Sequence, residues 1–399
     1  MCGIVGYVGY DEAAGKIIEG LKKLEYRGYD SSGIAILSDK GIELNKCKGE
    51  IKNLENMIAG RIPSGTCGIG HTRWATHGAP SDVNSHPHMD QSGRVALVHN
   101  GIVENYVELK EALINEHGIK FKSETDSEVI AQLVGVKYNA NGGDLEKAVY
   151  DAIKEMRGTY AIGVIAEDTP DKIVAYRKEA PLIAGLGKKS NFIASDIPAL
   201  LKYTNDIFLI ENDEMVICTP DSITIKDKDG KEVKREAMKI TWSVEDAEKG
   251  GYEHFMLKEI NEQPKVVAET LNRRIDEDGK IKLDGINLTK EELDNYNKIY
   301  IVACGTAYHA GLVGKYVIEK MAGIAVEVDV ASEFRYRDPF IDEKTLFIAI
   351  SQSGETLDTL MSLRLAKEKG ARVLSVVNVV GSSIARESDD VFYTWAGPE

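Results

Sequence analysis

Residues 2–9 read Cys2-Gly3-Ile4-Val5-Gly6-Tyr7-Val8-Gly9. A short run of β-branched and aromatic residues broken by glycines predicts a strand that starts at the second residue. A strand there holds Cys2 at a fixed point in a sheet. It also sets a thiol at the chain terminus. A small side chain after the initiator permits removal of Met1, and this reading expects that removal. A free α-amine of pKa about 7.7–8.0 then adjoins a thiol of about 8.5. Such an amine can take the thiol proton and return one to a leaving group.

Outward from this strand, a helix is predicted over 12–25, with Ala13, Ile17, Leu21 and Leu24 on one face. Short strands follow at 34–37, 66–71, 95–99, 160–166, 172–177, 191–195, 214–218 and 222–226. Helices near 104–117, 126–139 and 144–157 interrupt them. Strands in runs and helices in runs indicate a layered α+β domain over 2–240. Residues 241–290 are charged and turn-prone, and read as a linker with a connecting helix. From residue 291 to 399 strands alternate with helices: strands at 298–304, 325–330, 345–350 and 372–377, helices at 307–322 and 355–369. That alternation indicates a doubly wound parallel α/β sheet. No strand or helix is read after 377.

The chain has 64 acidic and 49 basic residues and a net charge of −15, which disfavours nucleic acid and anionic membranes as partners. No apolar run approaches the roughly 18 residues of a membrane helix, and no secretory signal is read. Five dispersed cysteines point to a reducing cytoplasm rather than a disulfide framework. The expected partners are small molecules and copies of the same chain.

Several segments supply polar chemistry. In His71-Thr72-Arg73-Trp74-Ala75-Thr76-His77-Gly78, Arg73 offers a planar fork suited to a carboxylate. In His99-Asn100-Gly101, an Asn amide and a Gly N–H can form an oxyanion hole. In Ser123-Glu124-Thr125-Asp126, Asp126 can pair with an ammonium group. Thiol, carboxylate fork, ammonium acceptor and oxyanion hole together describe a site for an α-amino acid with a side-chain amide. His71, His77, His86, His88 and His99 raise the alternative of a metal, but no Cys/His spacing matches a zinc pattern. No metal and no organic cofactor are expected. Cys47, Cys67, Cys218 and Cys304 read as packing residues.

With these motifs in order, residues 2–240 resemble a class II glutamine amidotransferase domain. The run HTRWATHG, the run Glu25-Tyr26-Arg27-Gly28-Tyr29-Asp30-Ser31 and the HNG and SETD segments are similar to the glutamine–fructose-6-phosphate aminotransferase family. The resemblance implies the four-layer αββα amino-terminal-nucleophile fold. It implies Cys2 as nucleophile, Asn100 and Gly101 as oxyanion hole, Arg73 on the glutamine carboxylate and Asp126 on its amine. Thr76 and His77 would line the pocket, Arg27 would order the cysteine end, and Trp74 would gate an ammonia path.

In the second half, Ser351-Gln352-Ser353-Gly354-Glu355-Thr356 follows a buried strand and opens a helix, where hydroxyls and free N–H groups make an anion site. An ordinary helix cap at Ser353 is the simpler alternative. Gly305-Thr306-Ala307 occupies the matching turn after the first strand. These runs resemble a sugar isomerase domain, and the resemblance implies Thr306, Ser351, Gln352, Ser353 and Thr356 as sugar-phosphate contacts. Where many members carry Ser, this chain has Ala307. Family members continue for about 200 further residues, so an incomplete module, truncated at the carboxyl end, is expected here, with glutamine hydrolysis but no amino-sugar synthesis. The implied reaction takes glutamine and fructose 6-phosphate to glutamate and glucosamine 6-phosphate in a cytoplasmic homodimer. Alternatives are a related phosphosugar aminotransferase or deglycase, a stand-alone glutaminase and a sugar-phosphate-binding regulatory protein.

Overall fold

The opening run forms strand β1 (Gly3–Gly9), buried along its whole length. Burial on both faces explains its lack of polar residues. In the computed structural model, residues 2–25, 28–75, 77–240, 251–276 and 278–397 are described. They divide into two units, Met1–Val244 and Glu245–Glu399.

In the first unit, β1 leads into α1 (Ala13–Lys22), then β2 (Ser31–Ser38), β3 (Gly41–Lys48), α2 (Ile51–Ile58), β4 (Cys67–Arg73), β5 (His88–Met89) and β6 (Val95–Val103). Helices α3 (Tyr106–His117), α4 (Asp126–Ala140) and α5 (Leu145–Glu155) come next. They precede β7 (Gly158–Ala166), β8 (Ile173–Lys178), β9 (Ile183–Leu186), β10 (Ser190–Ala194), β11 (Asp206–Leu209), β12 (Glu214–Cys218), β13 (Ile223–Lys226) and β14 (Met238–Lys239). One sheet runs β14-β11-β9-β10-β1-β4-β2-β3 and the other β13-β12-β8-β7-β6-β5. Ile4, Val8, Ala35 and Ile69 of the first sheet meet Val98, Ala161, Ile173 and Val216 of the second in a shared core. Helices α3, α4 and α5 bury a second core on the far face of the second sheet, with Leu113, Val134 and Val149 against Leu97 and Ile162. Helix α4 is buried on nearly every side, so its sequence carries little amphipathic contrast.

Helix α1 covers the far face of the first sheet, completing the αββα stack. Its close approach depends on two glycines of β4. A Cβ on Gly70 would lie 2.4 Å from Ile17 Cγ2, and one on Gly68 would lie 3.1 Å from Ile17 Cδ1.

The second unit contains α6 (Phe255–Asn272), α7 (Lys290–Asn295), β15 (Lys298–Ala303), α8 (Gly305–Ala322), β16 (Ala325–Val330), α9 (Ala331–Tyr336), β17 (Thr345–Ser351), α10 (Leu357–Glu368), β18 (Arg372–Val377), α11 (Ser383–Glu387) and β19 (Asp390–Tyr393). Its sheet is ordered β16-β15-β17-β18-β19 with every pair parallel. Apolar clusters cover both faces: Val302, Phe347 and Val373 with Phe334, Leu360 and Ile384 on one, Ile299, Ile301 and Leu346 with Ile318 on the other. This is a doubly wound α/β sheet.

Several elements, α7 and α9 among them, were not read from the sequence, and the carboxyl end of the unit differs most. A short helix and a fifth strand, α11 and β19, follow residue 377. The pattern there is weak because the segment is short and charged: Asp390 is buried against Arg372, which bonds it from Nε at 2.8 Å. Helix α6, read as a connecting helix, is bonded to that same end. Thr270 Oγ1 donates to the Thr394 carbonyl, Arg274 donates to the Tyr393 carbonyl, and the Arg274 guanidinium stacks 3.8 Å from the Phe392 ring centre. Residues 241–250 of the expected linker lie outside the described residues. Among the described residues, no helix is long and apolar enough to cross a membrane.

The glycine contacts give a paired test. Gly70→Val overpacks the α1–β4 seam and should cost about 1–3 kcal/mol. Gly15 lies in α1 with open space, nothing within 4 Å, where a Cβ would stand, so Gly15→Ala should stabilise by about 0.5–1 kcal/mol. Thermal melts of the two variants should therefore shift in opposite directions.

Candidate active site

The pairing of β1 with β4 sets Gly3 opposite Thr72, which brings Cys2 alongside the end of β4. Cys2 is half-buried there. The Trp74 backbone N–H donates to its Sγ at 3.2 Å, and the thiol lies 3.4 Å from the Trp74 carbonyl. Burial pushes the Cys2 thiol up, against the Trp74 hydrogen bond and the Arg73 charge, which pull it down. The thiol is therefore the resting form, and a base is needed to make the thiolate.

Asn100 and Gly101 arrive from β6 in the other sheet. Asn100 Nδ2 donates to the Cys2 carbonyl at 3.1 Å. Gly101 has φ 119°, and a Cβ there would lie 2.0 Å from the Thr159 carbonyl oxygen, so only glycine fits. Asp126 is the first residue of α4, where the helix dipole favours a carboxylate. It is buried, and its Oδ2 accepts from the Val103 N–H at 3.0 Å. Arg73 is buried as well. Its Nη2 donates to the His77 and Gly78 carbonyls, while Nη1 has no hydrogen-bond partner among the described residues.

Cys2, Arg73, Trp74, His77, Gly101 and Asp126 line one cavity of about 20 Å³. Asn100 adjoins it through its bond to Cys2. The indole of Trp74 is half exposed and meets the Tyr29 ring edge-on at 5.5 Å. Thr76 and Arg27, also expected at this site, lie outside the described residues.

Sequence reasoning missed the network behind the cavity. His71 bridges to Asn100 Oδ1 at 2.9 Å and the His99 carbonyl at 3.0 Å. His99 Nδ1 is 2.8 Å from Ser127 Oγ, and His88 Nε2 is 3.0 Å from Thr125 Oγ1. His86 stacks on His71 with ring centres 4.1 Å apart and accepts from the His99 N–H. Asp30 accepts from the Ala75 N–H and so ties down the segment after Arg73. The clustered histidines and the Tyr-Asp-Ser run are the signals that point this way, but along the chain the histidines suggest only metal ligands. Among the described residues, no group of three or more His, Cys, Asp or Glu is placed to hold a metal.

In the second unit, Thr306 lies in the first turn of α8 after β15, and Ser351–Thr356 follows β17. These strands are neighbours, with Ala303 opposite Ile350, so both turns lie at adjacent carboxyl ends. That is the topological switch point, where ligands bind in such sheets. Ser351 Oγ accepts from the Gly354 N–H at 3.1 Å and lies 3.0 Å from Thr356 Oγ1. Gln352 is exposed and Ser353 half-buried. The helix cap is Thr356, not Ser353, because α10 starts at Leu357. Glu355 accepts from the N–H and hydroxyl of Ser383, joining this loop to α11.

Comparison with known proteins agrees with this two-part organisation. The glutamine amidotransferase domain family matches residues 71–202, and the SIS domain family matches residues 292–399. The glutamine–fructose-6-phosphate aminotransferase [isomerizing] of Clostridium tetani is 60% identical over 399 residues, 100% of this chain and 65% of that protein. Its counterpart from Clostridium perfringens is 59% identical over the same extent. The chain spans 65% of the length of these relatives. A solved structure of glutamine phosphoribosylpyrophosphate amidotransferase from B. subtilis, complexed with ADP and GMP, aligns over 94% of this chain and 81% of that one. At 18% identity and a TM-score of 0.52, it is alike in fold alone.

The buried histidines give the site a pH signature. Burial pulls His71 down to about 3 and holds His86, His88 and His99 below the usual imidazole range. Unfolded, they titrate near 6.5. The unfolded chain then binds protons that the folded one refuses. Their stabilising contribution is complete above about pH 6.5 and is lost as pH falls towards the folded values. Each histidine can steepen the loss by about 1.4 kcal/mol per pH unit. Melting temperatures taken from pH 7 to 5 should fall steadily, and His88→Gln should fall less steeply. Equal slopes would remove the histidines as the cause.

Proposed function

We propose that the chain carries the glutaminase and a sugar-phosphate-binding part of an enzyme that converts glutamine and fructose 6-phosphate to glutamate and glucosamine 6-phosphate. The observation that carries this reading is the convergence of Cys2, Arg73, Gly101 and Asp126 on one cavity, beside Asn100. The names of the family relatives supply the second substrate.

In this mechanism the Cys2 α-amine, freed by loss of Met1, takes the thiol proton. The sulfur attacks the side-chain amide carbon of glutamine. The oxyanion accepts from Asn100 Nδ2 and the Gly101 N–H, donors aimed at charge that exists only in the transition state. Collapse expels ammonia, which takes the proton back from the amine, and leaves a thioester. Water then hydrolyses it to glutamate and free thiol. Arg73 uses its unpartnered Nη1 on the glutamine carboxylate, and Asp126 takes the ammonium. His77 lines the pocket. Trp74, half exposed at the cavity, gates the ammonia path. A cavity of about 20 Å³ is the size of a single water, so glutamine entry requires the pocket to widen.

Ammonia passes to the sugar unit, where the hydroxyls of Thr306, Ser351, Ser353 and Thr356, the Gln352 amide and the free N–H groups of the α10 amino terminus hold the phosphate. The enzyme works in the cytoplasm as a homodimer.

Glutamate release measured with and without fructose 6-phosphate tests the assignment. Cys2→Ala should abolish hydrolysis, and an active sample should lack Met1 by intact mass. Arg73→Ala and Asp126→Ala should raise the glutamine KM about ten-fold or more, because a desolvated charge pair is worth about 2–5 kcal/mol when one partner is removed. An unchanged KM in both would move the glutamine pocket elsewhere.

On the sugar side, Ser353→Ala combined with Thr356→Val should weaken fructose 6-phosphate binding while leaving basal glutamine hydrolysis intact. Each lost hydrogen bond to a charged group is worth about 1.5–3 kcal/mol. Calorimetric titration of the sugar phosphate checks this, with Gln352→Ala as a third point.

A further inference from the structure

We propose that His71 is a positioning residue that fixes which way the Asn100 amide faces, and so determines whether an oxyanion hole exists beside Cys2. The inference rests on the reading of Cys2 as the nucleophile.

The starting point is a backbone carbonyl. His71 Nε2 lies 3.0 Å from the His99 carbonyl oxygen and 2.9 Å from Asn100 Oδ1. A carbonyl oxygen can only accept, and unlike a side-chain amide it cannot be turned round. His71 must therefore carry its proton on Nε2. That proton in turn requires an acceptor from Asn100, which selects Oδ1 on this side and sends Nδ2 the other way. Nδ2 has two hydrogens. One is donated to the Cys2 carbonyl at 3.1 Å, and the second is left for a developing oxyanion.

The remaining surroundings keep His71 in that single state. His71 Nδ1 is buried without a hydrogen-bond partner among the described residues, and the ring lies against His86 at 4.1 Å with the planes 15° apart. No acceptor there draws the proton to Nδ1. Burial also keeps the ring neutral through the working pH range. The contact bridges the two sheets, since His71 is on β4 and Asn100 on β6. It is thus independent of the Arg73 and Asp126 contacts assigned to glutamine binding.

Without His71, the amide is held from one side only, by its bond to the Cys2 carbonyl, and a rotation that breaks this one bond turns its oxygen towards the reacting centre, where it would repel the oxyanion. Loss of an oxyanion donor typically costs about 10²–10³ in kcat. His71→Leu should accordingly lower kcat by about 10²-fold with the glutamine KM unchanged. His71→Gln can donate to both acceptors and should recover most of the loss. Alkylation of Cys2 by iodoacetamide, followed on the Cys2 peptide by mass spectrometry, involves no oxyanion and should proceed at the wild-type rate in both variants.

A wild-type kcat in His71→Leu overturns the proposal. So does a loss of kcat in both variants accompanied by slowed alkylation, which would mean a general collapse of the site. Absence of glutamine hydrolysis by the wild-type chain in the same assay would instead overturn the reading of Cys2 on which the proposal stands.

Discussion

The pairing of β1 with β4 is the constraint on which the first unit depends. Gly3 sits opposite Thr72 and Val8 opposite Cys67, so the first residues of the chain are locked into the middle of a sheet. A slip of one residue would exchange the two faces of β1. Ile4 and Val8 would leave the core between the sheets, and the thiol would lose its place beside Trp74. The burial of the apolar run thus guards the register that delivers the sulfur. A terminal residue would ordinarily be among the least ordered in a domain. Here Cys2, one residue from the start of the chain, is tied down by the Trp74 N–H at its sulfur and by Asn100 at its carbonyl.

The two units meet their polar demands in different ways. In the first, buried side chains satisfy most of one another's hydrogen-bonding capacity and leave particular atoms over: Nη1 of Arg73, Nδ1 of His77, Nε2 of His99. Buried polar atoms without partners are costly, and these three belong to residues that line the cavity, where a ligand can satisfy them. In the second unit the capacity lies in loop hydroxyls and the first turns of helices after β15 and β17. No cation is needed for anion recognition of that kind, because amide dipoles supply the field.

Much of this organisation was legible in the sequence. Strong periodicity marked α1, α5, β1, β7 and every strand of the second unit except β19, and their boundaries fell within a few residues. The edge strand β3 was missed because it alternates weakly and is half exposed along most of its length. Helix α2 spans only Ile51–Ile58, too short for a clear repeat. At the site, the motifs named residues that the fold brings to one cavity, Cys2, Arg73 and Asp126 among them. Residues whose task is to hold another side chain could not be named, since that role exists only once distant strands come together. His71 and Asn100 are 29 positions apart in the chain and joined by a single bond across two sheets. The histidine cluster was visible as composition, but spacing along the chain gave no hint that the rings stack on one another.

Strand β4 carries three demands at once. Gly68 and Gly70 admit α1, Cys67 and Ile69 fill the core between the sheets, and His71 and Arg73 reach the site. Neither face of the strand is spare. The consequence concerns how the protein can drift: β4 is a mutational bottleneck, in which nearly any replacement is felt by helix packing, by the core or by the site. The edge strand β3, bonded on one side only, is its opposite and can absorb change freely. Variation among functional descendants of this chain should therefore be partitioned by strand rather than by distance from the thiol.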